Sequence, residues 1–503
     1  MLANNNSQAM NQTIPDKRVL VIAYNFPPVG GAGVQRVTKF VKYLPEFGWQ
    51  PTVLTVENPS VPLQDHSLLR EVPAATEIVR ARTWEPGYAI KRFVSASAPG
   101  STDSAMKQTA SARKSLAVCK RLAKRAVRAM INLALQPDPQ VLWNRHALQA
   151  GMRALNRTPH DAIFVTAPPF SSFLLGAELS RRTGVPLVLD YRDEWSISNS
   201  YLENRRLDRV SQWWQQRLQQ QVLRSASAVL ATTEHSAQAL ASLVEQSGSP
   251  AKVTHIYNGF DSADFHAGKM PLPDAVLEPR ANVHAVYKLA YLGTLWNLTS
   301  VEPLVKAVEQ LSSASPELAE RLELSFVGRR TAAQDELLRR LEVTPCKLVR
   351  QDYLEHDAAV RLMQSADGLC LLLSDVPEAG RVVPAKLFEY MAVRKPIFAI
   401  VPPGEVATLL QDCPIAFVHA PSQIEALAQR LGDEIERHRL GISLPGGLWD
   451  SSRFERRRQA EQLAELLFEV SGQGANSATG VATTQKLALA TENAPALQAI
   501  EQD

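Results

Sequence analysis

Cysteine is scarce in this chain: Cys119, Cys346, Cys370 and Cys413 stand far apart, with neither paired nor metal-ligand spacing. That excludes a disulfide scaffold, and Cys370, inside the apolar run LCLLL, reads as a buried free thiol. Long apolar runs are missing too. No 18 consecutive apolar residues occur, and the N-terminal MLANNNSQAMNQTIPDKR has no apolar core of secretory length, so the expectation is a cytoplasmic protein without a membrane span. Nor is one sign of charge in excess. Lys and Arg (54) nearly balance Asp and Glu (51), so no whole-chain field points to nucleic acid as a partner. His235, His255 and His419 are scattered, and no metal site is expected.

What is present is the grammar of α/β architecture. At 503 residues the chain is too long for one ordinary core, which predicts two globular domains of roughly 200 residues each. RVLVIAY (18–24) is a β-branched run, Val34, Val37, Phe40, Val41 and Leu44 follow at helical spacing, Pro45 and Gly48 end the helix, and PTVLTV (51–56) completes a βαβ unit. DAIFVTA (161–167), VPLVLDY (185–191) and SAVLATT (227–233) repeat the pattern. After an aperiodic stretch it begins again with KLAYLG (288–293), LELSFVG (322–328), KLVRQDY (347–353), GLCLLLS (368–374) and KPIFAIV (395–401). The expectation is two doubly wound Rossmann-like domains, 17–267 and 288–447, joined by a linker at 268–287. Residues 1–16 and 472–503 are expected to be flexible and disordered tails, and 448–471 a helix lying back across the domain seam.

A basic insertion, about 95–137, interrupts the first domain. Arg113, Lys114, Lys120, Arg121, Lys124, Arg125 and Arg128 cluster among Leu116, Leu122, Val127 and Met130, with no acidic residue from 105 to 136. Two readings stand: an amphipathic helix on an anionic membrane surface, at 113–128, or a solvated helix packed on its domain.

Two stretches carry candidate chemistry. YNFPPVGGAGVQR (24–36) sits between the first strand and first helix. Its Gly30, Gly31 and Gly33 would let backbone amides approach an anion, or serve only a packing turn; the spacing does not satisfy the dinucleotide pattern G-x-G-x-x-G. EAGRVVPAKLFEYMAVRKP (378–396) places Pro384 at a helix start, with Lys386 and Glu389 three residues apart. A helix start with Lys386 can hold a diphosphate, and Glu389 can accept ribose hydroxyls; the alternative is an ordinary surface ion pair.

Taken together with NGFDSADF (258–265), these stretches resemble the retaining glycosyltransferases of family 4, which have the GT-B fold: two Rossmann-like domains facing across a cleft. The resemblance covers most of 18–470. It implies an acceptor site in the first domain, a nucleotide-sugar site in the second, and transfer with retained configuration and no metal. The nucleotide-diphosphate sugar would be a co-substrate, with no further cofactor. By resemblance Glu389 matches the ribose-binding glutamate, Lys386 lies beside the diphosphate, and Gly30, Gly31 and Gly33 face the donor phosphate. Thr294, Arg329 and His356 are placed around the donor, His356 in the loop near the base.

The departures bear on activity. GTLWNLTS (293–300) has Thr294 and Thr299 where many relatives carry cations, and Arg381 replaces the first glutamate of the family's paired-glutamate motif. Either Arg381 supplies the diphosphate's positive partner, as a planar fork suited to phosphate oxygens, or the donor grip is lost and the protein is a binding scaffold. A nucleotide-sugar epimerase of the same fold is a further alternative. On the acceptor side, TAPPFSSF (166–173) and LDYRDEW (189–195) offer Ser171, Asp190, Arg192, Asp193 and Glu194. Asp193 is the candidate to orient or deprotonate a glycan or lipid-linked acceptor hydroxyl; the alternative is that the aspartates cap a helix and pair with Arg192.

Overall fold

The computed structural model describes residues 17–59, 64–85, 135–198, 208–265, 286–442 and 449–472. Among them, thirteen strands form two sheets, and every pairing is parallel. The first sheet contains β1 (Lys17–Ile22), β2 (Trp49–Val56), β3 (Glu77–Ala81), β4 (Ala162–Ala167), β5 (Leu187–Tyr191), β6 (Ala228–Ala231) and β7 (Lys252–His255) in the order 3-2-1-4-5-6-7. The second contains β8 (Tyr287–Leu292), β9 (Leu322–Val327), β10 (Lys347–Gln351), β11 (Gly368–Leu372), β12 (Ile397–Ile400) and β13 (Ala416–His419), ordered 10-9-8-11-12-13. Each half thus repeats the doubly wound arrangement.

Central strands covered by helices on both faces read as unbroken apolar runs. Val19 to Ile22 of β1 are wholly buried, and Val21 stands opposite Val53 of β2 and Phe164 of β4. The following helix, Ala32–Tyr43, buries Val34, Val37, Phe40 and Val41 against this sheet and gives way to a short 3-10 turn, Leu44–Phe47. Three strands go beyond the sequence expectation: β3, β7 and β13. All are sheet edges of four or five residues with partly exposed side chains, so none carries a continuous apolar signal.

The helix over 456–472 follows the second domain in sequence but packs on the first. Ala460, Leu463, Ala464, Leu467 and Val470 join the core around Val19, Val21, Phe40 and Trp49. Lys252 pairs with Glu469 and Arg457 with Glu46, both at 2.6 Å. The basic segment 113–128, Cys119, the 1–16 tail, linker residues 268–285 and the tail from 473 lie outside the described residues. Cys346, Cys370 and Cys413 are buried free thiols. Among the described residues no helix is long and apolar enough to cross a membrane.

Candidate functional site

Strand order reverses at equivalent places in the two sheets: β1 lies between β2 and β4, and β8 between β9 and β11. Connections leaving neighbouring strand ends there run to opposite faces and open a crevice, which is where ligands bind such sheets. One cavity of about 810 Å³ draws its walls from both domains: the loop after β1, the loop after β5, the loops after β8, β9 and β11, and the start of the helix Lys386–Val393. That volume is in the range of small-molecule sites.

Gly30, Gly31 and Gly33 line this cavity. Gly31 caps the 32–43 helix at φ 107°, a conformation that disfavours any side chain, and space around it is open. That helix start has no side-chain cap and no acidic residue in its first turn, so its amides remain suited to an anion. At Gly33 a Cβ would fall 2.6 Å from the Arg192 guanidinium, so this position also serves close packing.

Opposite stands the Lys386–Val393 helix, held by buried Leu387, Tyr390 and Met391. It begins two residues later than Pro384 suggested: Ala385 takes the cap position, and the Pro384 carbonyl accepts the Leu387 N–H at 3.0 Å. The Lys386 ammonium sits 3.7 Å from the centre of the Tyr291 ring, and among the described residues no carboxylate pairs with it. Burial lowers its pKa to about 7. Glu389 lines the same cavity; burial raises its pKa against the opposing pull of His356 and Arg456. Lys386 and Glu389 are therefore not a surface ion pair. Arg329, exposed at the rim after β9, likewise has no ion-pair partner among the described residues. Thr294 and Thr299 build the turn instead: the Thr294 carbonyl accepts the Thr299 hydroxyl at 2.7 Å and the Tyr291 hydroxyl at 2.9 Å.

Several candidate residues have other duties. Asp190, expected at the acceptor, is fully buried, pairs with Arg36 at 3.0 Å and accepts the Thr166 hydroxyl at 2.8 Å. Ser171 is also fully buried and lies outside the cavity lining, its N–H donated to Asp138 at 3.0 Å. The Arg192 guanidinium reaches the cavity but is spent on backbone, donating to the carbonyls of Gly33, Pro168 and, at 3.2 Å, Ala167. Glu194 accepts the Ser236 hydroxyl at 2.8 Å and pairs with Arg381 at 2.9 Å across the cleft. Arg381 also pairs with Glu378 at 2.9 Å, so its charge is answered by two carboxylates and it is not a free partner for a diphosphate.

His356 lines the cavity, yet its ring bridges Asp264 and Gln35, each at 3.1 Å, which joins the domains rather than leaving it open toward a base. Burial works to lower its pKa, but the Asp264 hydrogen bond and the Glu389 charge prevail and raise it. Asp193 stands apart from this acceptor-side group. It is part-buried at the cavity wall, makes no hydrogen bond to another described residue, and burial raises its pKa.

Other charged residues at the seam were not singled out from sequence. Lys39 reaches Asp261 at 2.7 Å and Asp264 at 2.8 Å, and Lys42 reaches Glu71 at 2.6 Å, so the carboxylates of Glu71, Asp261 and Asp264 converge on cations already in place. Glu405, in the second domain, accepts the N–H groups of Glu234 at 3.2 Å and His235 at 3.0 Å, capping the 234–247 helix of the first, and also accepts the Tyr257 hydroxyl. Apart from Lys42 and Glu71, which are 29 residues apart, these partners are 148 to 225 residues apart, a separation that leaves no local signal.

Two parallel doubly wound sheets facing across such a cavity define the GT-B class. Residues 30–259 match the family model described as a glycosyl transferase 4-like domain. That match makes the first of the two domains glycosyl transferase 4-like. Among solved structures it is similar to a glycosyltransferase from Rickettsia africae, at 15% identity over 90% of this chain and 98% of the other, with a TM-score of 0.51. The N-terminal domain of Candida albicans trehalose-6-phosphate phosphatase aligns at 13% identity over 93% and 96%, with a TM-score of 0.53. An Escherichia coli structure described as trehalose-6-phosphate bound with UDP-2-fluoro glucose aligns at 12% over 92% and 98%, with a TM-score of 0.50. No curated protein matches the sequence.

Proposed function

We propose that this protein transfers a glycosyl group, with retained anomeric configuration and no metal requirement, from a nucleotide-diphosphate sugar to a hydroxyl of a glycan or lipid-linked acceptor. The observation that carries the reading is Lys386: a desolvated ammonium without a carboxylate partner, at a helix start, facing the uncapped 32–43 helix across the cavity. A diphosphate between them would answer both. Lys386, the amides around Gly31 and the Arg329 guanidinium would take up the negative charge that grows on the diphosphate as the bond from the anomeric carbon breaks. Glu389, one turn along the helix, would accept the ribose hydroxyls. Asp193 would orient the acceptor hydroxyl and take its proton as the new bond forms, a task suited to a carboxylate made more basic by burial.

A polysaccharide or glycoconjugate product and a peripheral position on the inner face of the plasma membrane, through the basic segment 113–128, complete this reading. A similar structure is bound with UDP-2-fluoro glucose, so uridine nucleotides come first in a thermal-shift panel of nucleoside diphosphates and their sugars. Stabilisation that disappears in Lys386→Met is the expected result, unchanged by a chelator. No shift with any nucleotide would end the transferase reading, and binding without turnover over a broad acceptor panel would favour a scaffold.

A further inference from the structure

The helix Arg209–Arg224 presents two unlike faces. Ser211, Gln215, Val222 and Leu223 point into the first domain. On the outer side Val210, Trp213 and Trp214 are 61%, 53% and 41% exposed. Spacings of three and one put these three on a single stripe, which Arg217 and Arg224, also exposed, carry onward. The Arg217 guanidinium lies 5.5 Å from the centre of the Trp213 ring. Two neighbouring tryptophans held in solvent on a helix flank are a patch that calls for a partner.

Charge identifies the partner's sign. The helix contains Arg209, Arg217 and Arg224 and no Asp or Glu. Chain continuity strengthens the case, because Gln215 of this helix donates to Gln136 Oε1 at 2.5 Å and to the Pro137 carbonyl at 3.2 Å. Against this helix, at Gln136 and Pro137, the described chain resumes after the segment 86–134. Its sequence holds ten Lys and Arg and one acidic residue, Asp103, so it cannot neutralise the helix's arginines and calls for the same anionic counterpart. At the segment's other end Trp84 is 58% exposed, with the Arg145 guanidinium 5.3 Å from its ring. Protruding tryptophans with arginines beside them suit a medium that closes around apolar tips and presents phosphates at the same depth: the headgroup layer of an anionic bilayer.

We propose that the Arg209–Arg224 helix is a bilayer-docking surface, with Trp213 and Trp214 entering the headgroup layer of an anionic leaflet and Arg209, Arg217 and Arg224 meeting its phosphates. This surface lies outside the cavity and does not depend on the transferase reading. The full chain should sediment with vesicles of phosphatidylcholine and phosphatidylglycerol, weakly or not at all with phosphatidylcholine alone, and less at high salt. The W213A/W214A double variant should lower the partition coefficient about tenfold. Arg217→Ala and Arg224→Ala should each lower it about fivefold.

Tryptophan fluorescence gives a second readout. Brominated lipid should quench the wild type, and W213F/W214F should remove most of that quenching from the vesicle-bound protein. Trp213, Trp214, Arg217 and Arg224 are exposed, so circular dichroism and the melting temperature of their variants should not change. Vesicle binding unaffected by W213A/W214A, or equal on neutral vesicles, would overturn the proposal. So would a wild-type dimer in sedimentation velocity that the double variant converts to monomer, since that would assign the stripe to a second copy of the chain.

Discussion

On the first domain's side of the cleft, Asp190, Arg192 and Glu194 each have their charge or hydrogen-bonding capacity answered by Arg36, by backbone carbonyls, or by Arg381 and Ser236. On the second domain's side, Lys386 and Arg329 have no carboxylate partner among the described residues, and Glu389 has no hydrogen bond to one. Both walls are rich in ionisable groups, but only one keeps most of them free. A dense polar stretch such as LDYRDEW therefore marks where a loop is pinned, and within it Asp193 is the exception, at the cavity wall without a hydrogen bond to another described residue. The difference follows from burial: a charge taken fully out of water must be paired, whereas a charge on a cavity wall can wait for a ligand.

The sharpest way to break this comparison is at Arg36. Arg36→Met strands the buried Asp190 carboxylate and should cost about 3–5 kcal/mol in denaturant unfolding. Nucleotide affinity of the folded fraction should stay the same; a loss under 1 kcal/mol would mean that Asp190 is not structurally committed. Asp193→Asn should act in the opposite manner, lowering turnover about 100-fold or more while donor KM and stability hold. Were Asp190→Asn to impair turnover in a fully stable protein instead, the roles of the two aspartates would have to be exchanged.

Lys386→Met should weaken nucleoside diphosphate binding by about 2 kcal/mol, the scale of a charge-assisted hydrogen bond. The free ammonium titrates near 7, whereas a bound diphosphate requires the charged form. Affinity should therefore fall as pH rises from 7 to 9, with proton uptake on binding in calorimetry across buffers, and the variant should take up none. For stability the sign follows from the same depression. Between about 7 and the ordinary 10.5 the unfolded chain binds the proton that the folded chain has released, so the ligand-free protein gains stability from this group as pH climbs through that window. The smallest effect belongs to Ser171→Ala. The Ser171 hydroxyl is buried without a hydrogen bond, so its removal should change stability by about 0.5 kcal/mol or less and leave turnover intact.

Much of the fold was legible because central parallel strands must be apolar throughout, and nine of the thirteen strands announced themselves in that way, with the edge strand β10 read from its place in the alternation. β3, β7 and β13 did not, since an edge strand needs only part of its surface buried. Within the candidate site, the glycine loop after β1 and the Lys386 to Glu389 spacing were legible because each is a local device at a helix start. The pairs of Asp190 with Arg36, Glu194 with Arg381, and His356 with Asp264 and Gln35 were not, because those partners arrive from distant parts of the chain.

Hydrophobic periodicity by itself determined two doubly wound domains, and two helix-start motifs marked stretches that line the cavity between them. Which charges remain free in that cleft was decided only by tertiary structure. Ion pairing within 4 Å depends on which strand ends meet, and strand order is a long-range property. The same reason placed Trp213 and Trp214 in solvent: local spacing puts them on one helix stripe, but only packing of the opposite stripe on the first domain fixes which side faces out.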